Sequence, residues 1–157
     1  MQKGKNKPRQ PRRFQLRASP EVVFQVVSSP EHLREWWPDD ARFEPVPGSV
    51  GEIVFGDPDD GGAVVSFTVV DSRPPRLFSF RWTHPSGEPA GEGNSLLVTF
   101  ELAGRGTGTQ LRMTETGFRE RGWEAAVLEE RFAEHVAGWA HFLPRLAPYA
   151  EGLGVRA

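Results

Sequence analysis

"WEAAVLEERFAEHVAGWAHFLPRLAPY", residues 123–149, decides the architecture more than any other stretch. Leu128, Phe132, His135, Val136, Trp139, Phe142, Leu143 and Leu146 recur at steps of three and four, the spacing of one helical face. This stripe is about five turns long, so one equally long apolar surface must cover it. Pro144 falls inside the stripe and is expected to kink or thin the last turn, because proline has no N–H to donate.

The covering surface lies upstream. "ARFEPV", "VGEIVFG", "AVVSFTVVDS", "RLFSFRW", "SLLVTFELA" and "TQLRMTETG" are runs rich in Val, Phe, Leu and Thr. Gly-, Pro- and Asp-rich clusters separate them, which is the punctuation of antiparallel turns. Alternation puts Phe78, Phe80 and Trp82 on one side, with Leu96, Val98, Phe100 and Leu102 likewise sharing a side. Leu111, Met113 and Glu115 share a face, while Arg81, Gln110 and Arg112 point to water. A further strand is expected around Phe14 and Leu16. Two short helices follow, each opened by Ser-Pro-Glu, with Ser19 and Ser29 as caps. Pro38 ends the second helix, since the residue before proline disfavours helical geometry. The predicted fold class is α+β: a curved antiparallel sheet wrapped around a long C-terminal helix, with two short helices after the first strand.

At 157 residues the chain suits one domain. The expected division is a basic disordered tail at 1–11, a single domain at 12–150 and a flexible C-terminus at 151–157. There is no cysteine, which removes disulfides, thiolate catalysis and cysteine metal sites. No apolar run is long enough to span a bilayer, and the N-terminus lacks the apolar centre of a signal peptide, so a cytoplasmic protein is expected. The Arg, Pro and Gly bias suggests a bacterial coding sequence. Residues 1–13 hold six basic and no acidic residues, leaving 13 basic and 21 acidic in the remainder, a net of −8. Such a body would repel a polyanion, so nucleic acid is not an expected partner.

"SPEVVFQVVSSPEHLREWW", "VGEIVF", "RPPRLFSFRW", "GTQLRMTETGF" and "HVAGWAHFLPRL", in this order and spacing, resemble the START-like, or SRPBCC, superfamily. The branch they resemble is that of the activator of heat-shock-protein-90 ATPase homologues, over about residues 12–149. The resemblance implies a helix-grip fold with a cavity between the sheet and the long helix, where relatives hold an apolar ligand. The branch contains lipid-type binders and polyketide-cyclase-like enzymes alike, so the fold speaks to architecture more than to activity.

The expected ligand-binding residues are Trp36, Trp37, Phe55, Phe67, Phe80, Trp82, Phe100, Met113, Glu115, Phe132, His135 and Trp139. Their rings either fill the interior or outline a hollow. Adjacent Trp36 and Trp37 diverge on a helix, so one should plug the core and the other sit at the cavity's mouth. Trp37, four residues after Leu33, is expected to be the more buried. Glu115 falls on the apolar side of its strand, although Gly117 follows at once and would let it bend to water. His135, with Gly138 allowing close approach to the sheet, is either a core histidine or the partner of Glu115 in an acid–base pair. His141 and Glu134 fall off the stripe and are read as solvated.

No metal is expected, because His32, His84, His135 and His141 lack ligand spacing and "EHLREW" is not a zincin motif. "GRGTGT" joins two strands instead of opening a helix, so it is a hairpin and not a phosphate loop. No G-x-S-x-G occurs, leaving hydrolase chemistry unsupported. The leading function is non-enzymatic binding of a small hydrophobic molecule, with no cofactor. The alternatives are a cyclase or dehydratase using Glu115 and His135, or a regulator of a chaperone ATPase; a homodimer is also an expected assembly.

Overall fold

The computed structural model describes residues 12–156, so the tail assigned to 1–11 lies outside the described residues. Strand β1 (Arg12–Leu16) is followed by helices α1 (Pro20–Ser28) and α2 (Pro30–Trp36). Strands β2 (Asp40–Arg42), β3 (Val50–Phe55), β4 (Ala63–Arg73), β5 (Leu77–Trp82), β6 (Leu96–Arg105) and β7 (Gly108–Thr116) come next. Helix α3 (Ala125–Arg156) completes the chain. The sheet is antiparallel throughout in the order β1-β7-β6-β5-β4-β3-β2, a meander from β2 to β7 with β1 returning to the β7 edge. This is the helix-grip arrangement, with α1, α2 and α3 on one face of the sheet.

Local chemistry explains the elements. At the head of α1 the Ser19 hydroxyl accepts from the Val22 N–H at 3.2 Å with Pro20 in the first turn, while Val23, Phe24, Val26 and Val27 face inward. Ser29 precedes α2, but its side chain makes no capping bond. The expected cap there is corrected: only the backbone of Ser29 serves, accepting from Leu33 N at 2.8 Å. "GRGTG" closes the β6–β7 hairpin, with Arg105 opposite Gly108 and Gly106 at φ +62° in the first turn position.

Alternation along β5, β6 and β7 is as the pattern predicts. Phe78, Phe80, Leu96, Val98, Phe100, Leu111 and Met113 are buried on the concave face. Phe67 stacks on Phe80 with ring centroids 4.2 Å apart and on Phe43 at 4.5 Å. These rings occupy the middle of the sheet's hollow, so the centre of the domain is a packed core.

Helix α3 departs from expectation at its end. It runs through Pro144 and Pro148 to Arg156, and residues 151–156 are helical where a flexible C-terminus is expected. The reason is tertiary. Leu143, Leu146 and Ala150 are buried, the Arg17 N–H donates to Glu151 Oε2 at 2.8 Å, and Tyr149 Oη meets His32 Nδ1 at 2.7 Å. Packing of this face outweighs the two N–H donors lost to proline. The other half of the helix is less covered: Leu128, Phe132, His135 and Val136 are only partly buried, whereas from Trp139 onward every stripe residue except the partly buried Phe142 is buried.

Candidate functional site

Where α3 is less covered, a cleft of about 220 Å³ opens between it and the end of the sheet. Trp37, Phe55, Trp82, Trp139 and Phe142 form its apolar walls, with Glu134, His135 and Gly138 along the helix side. Trp37 sits on Trp139 with ring centroids 4.8 Å apart and on Trp82 at 5.1 Å. A Cβ on Gly138 would meet nothing within 4 Å. The expected role of that glycine is therefore corrected: it borders the opening and does not bring helix and sheet together.

Behind this aromatic wall lies Glu115. It is 7% exposed and points inward from β7, opposite Val98 of β6. Trp82 Nε1 donates to its Oε2 and Trp139 Nε1 to its Oε1, both at 2.9 Å. His135 Nδ1 spans both oxygens at 3.0 and 3.2 Å. The bend to water at Gly117 does not happen at Glu115, because β7 continues to Thr116 and only then turns. A buried carboxylate needs compensation, and three converging N–H groups provide it. A carboxylate has no proton to give, so the proton in the contact with His135 sits on Nδ1. His135 Nε2 has no hydrogen-bond partner among the described residues, and the histidine side chain keeps 19% of its surface exposed.

Beside Glu115 is a recess of about 20 Å³, bordered by Arg12, Met113, Phe118, Phe132, His135, Val136 and Trp139. It has room for about one water molecule. Phe118 carries no sequence signal, since it follows the strand in an irregular segment. It is nonetheless fully buried and meets the edges of His135 and Phe132. Arg12 is equally illegible as a site residue; it donates to the Val136 carbonyl at 3.1 Å and fixes β1 to the helix.

The predicted residues thus divide. Trp37, Phe55, Trp82, His135 and Trp139 gather at the cleft, with Glu115 beneath them and Met113 and Phe132 at the small recess. Phe67, Phe80 and Phe100 lie in the packed core. Trp36 also belongs there: it is fully buried, and its Nε1 donates to the Val26 carbonyl at 3.0 Å. Trp37, at 4%, is the less buried of the pair, reversing the sequence expectation. The periodic argument from Leu33 fails because Trp37 has left the helix, with φ −124° and ψ −91°. Glu134 is exposed, as read, and pairs with Arg131, yet it stands on the cleft's rim.

A broader depression of about 550 Å³ lies on the outer face, bordered by Arg42, Glu52, Ser66, His84 and Glu88 among others. Its charged groups are largely spent on one another, as in Arg42 with Glu52 and Asp40. Among the described residues no three His, Asp or Glu side chains gather to hold a metal ion.

The pattern of the family described as Activator of Hsp90 ATPase homolog 1-like protein matches residues 17–151. The chain belongs to that family. The family's architecture recurs in solved structures, three of which are each 22% identical to this chain. Protein MLL2253 from Mesorhizobium loti is 22% identical, with a TM-score of 0.68 over 90% of this chain and 95% of that one. The Aha1 dimer from Colwellia psychrerythraea is 22% identical, with a TM-score of 0.70 over 91% and 96% of the two chains. DynU16, encoded in the dynemicin biosynthetic locus, is 22% identical with a TM-score of 0.68, covering 92% of this chain and 47% of its own. No curated protein matches the sequence. At these identities the likeness establishes the family's fold and leaves the activity to be argued from the site.

Proposed function

We propose that this family member binds a compact, largely apolar small molecule in the cleft, held at its polar end by His135 Nε2. One observation carries the reading: three side chains from two elements converge on the buried Glu115 directly behind an open aromatic wall. That carboxylate is already satisfied, so it positions His135 and the two indoles and leaves the ligand contact to the imidazole. The cleft is smaller than the roughly 300–1,000 Å³ of drug-sized pockets, which favours a compact ligand. Each ~100 Å² of apolar ligand surface covered contributes about 2.5 kcal/mol before the costs of immobilisation. The test is a thermal-shift screen of aromatic, lipid-like and polyketide-like compounds, repeated with His135→Ala. A compound should raise the wild-type melting temperature and lose most of that effect in the variant. The reading is withdrawn if no compound in any class shifts the wild type.

A second reading, an enzyme of the cyclase or dehydratase type, draws on the same contact. With Nδ1–H held by Glu115, Nε2 is presented as a proton acceptor, the arrangement of a carboxylate-oriented general base. His135→Ala and Glu115→Gln should each abolish turnover of a reactive carbonyl substrate while the fold persists; undiminished turnover in both removes this reading. Association with a chaperone, or with a second copy as in the Colwellia dimer, is a separate proposal. Co-purification and the mass in solution decide it.

A further inference from the structure

We infer that the ligand class of this cleft is a protonated amine carried on a short apolar body, an inference that rests on the binding site proposed above. Three features of the cleft bear on this, and together they favour positive charge.

The first is the wall. Trp37, Trp82 and Trp139 are mutually packed with centroid separations of 4.8 to 5.9 Å, and Phe55 and Phe142 flank them. Aromatic faces present the negative side of their quadrupole, and a cation within about 6 Å of such a face is attracted, most strongly by tryptophan. The second is the polarity of the buried anchor. Glu115 takes the Nε1 protons of Trp82 and Trp139 together with the Nδ1 proton of His135. These three donors are therefore turned inward, away from any ligand, and in its neutral form His135 offers Nε2 as an acceptor. An ammonium N–H fits an acceptor; a ligand carboxylate would meet the lone pair of Nε2. The third is the rim, where the carboxylate at the cleft's edge is Glu134. Both of its oxygens accept from Arg131 Nη1, at 3.0 and 3.3 Å, so its charge is partly offset, although Arg131 itself does not border the cleft.

One group offers a contrary signal. Trp37 Nε1 has no hydrogen-bond partner among the described residues, so a neutral hydroxyl that accepts from Trp37 and donates to His135 is the fair rival to an amine. The experiment sets these two against each other on the full chain. 2-Phenylethylammonium and 2-phenylethanol share shape and apolar area and differ in charge. Their affinities are measured at neutral pH by calorimetry and by quenching of tryptophan emission. The ammonium should bind on the order of tenfold tighter. Glu134→Gln, at an exposed position where folding is not at stake, should weaken the ammonium about twofold to fivefold and leave the alcohol unchanged. Equal or tighter binding of the alcohol overturns the amine inference and leaves the cleft as a ligand site. Binding of neither probe also overturns it, and the broader thermal-shift screen then decides separately whether the cleft holds a ligand at all.

Discussion

Glu115 shows how one residue can organise a cleft without lining it. Its two oxygens hold Trp82, Trp139 and His135, so one side chain fixes three walls of the cleft at once. Glu115→Gln replaces an acceptor oxygen by an amide donor and sets it against an N–H. That change should destabilise the fold by about 1–3 kcal/mol, read from denaturant midpoints, and should loosen ligand binding in parallel. Trp36 and Trp37 separate the two tasks. Trp36→Phe strands the Val26 carbonyl and leaves a void in a fully buried position, at a cost of about 2–4 kcal/mol. Trp37→Phe should cost less stability and more ligand affinity; the reverse ordering would place the cleft's wall at Trp36.

At the scale of elements, the site depends on where β7 stops and where α3 is left uncovered. Gly117 ends β7 at φ +108°, and a Cβ there would stand 3.1 Å from the Ser95 carbonyl oxygen. Gly117→Ala should therefore cost about 1–3 kcal/mol and disturb the end of the strand that presents Glu115, detectable as altered tryptophan emission. Helix α3 works as two halves. Its C-terminal half is tied down by Leu143, Leu146 and Ala150, and Leu146→Ala should destabilise the fold by about 2–5 kcal/mol with little effect on the cleft. Its N-terminal half borders the cleft through Glu134, His135 and Gly138, and His135 there is only partly buried.

At the scale of the whole molecule, acid should act on stability through His84, which borders the outer depression and not the cleft. His84 is 4% exposed on the sheet's outer side, its Nε2 3.0 Å from Thr68 Oγ1. Burial holds its pKa below the ordinary histidine value of 6.5, outweighing nearby carbonyls and Glu88 that act the other way. The folded state therefore resists a proton that the unfolded chain accepts once the pH falls towards 6.5. Its contribution is complete above that value and declines as the pH drops below it. The stability lost between about pH 7.5 and pH 5.5 should shrink in His84→Gln, measured as urea midpoints at each pH. An unchanged loss would assign the acid sensitivity to other groups.

The order of the elements, the apolar faces of β5, β6 and β7 and the long helical stripe of α3 were all legible in the sequence. Periods of 2 and 3.6 are imposed by the backbone and need no knowledge of what lies opposite. So were the aromatic side chains from which the cleft is built, except Phe142, which reads from sequence only as part of the helical stripe. Tertiary structure alone decided which of them fill the interior and which face the opening. It made Trp36 the plug and Trp37 the wall, turned Glu115 inward, brought Phe118 and Arg12 to the recess, and carried α3 past two prolines. Each of these outcomes depends on which distant surfaces meet and how much each covers, and such long-range packing overrides local propensity wherever the two conflict.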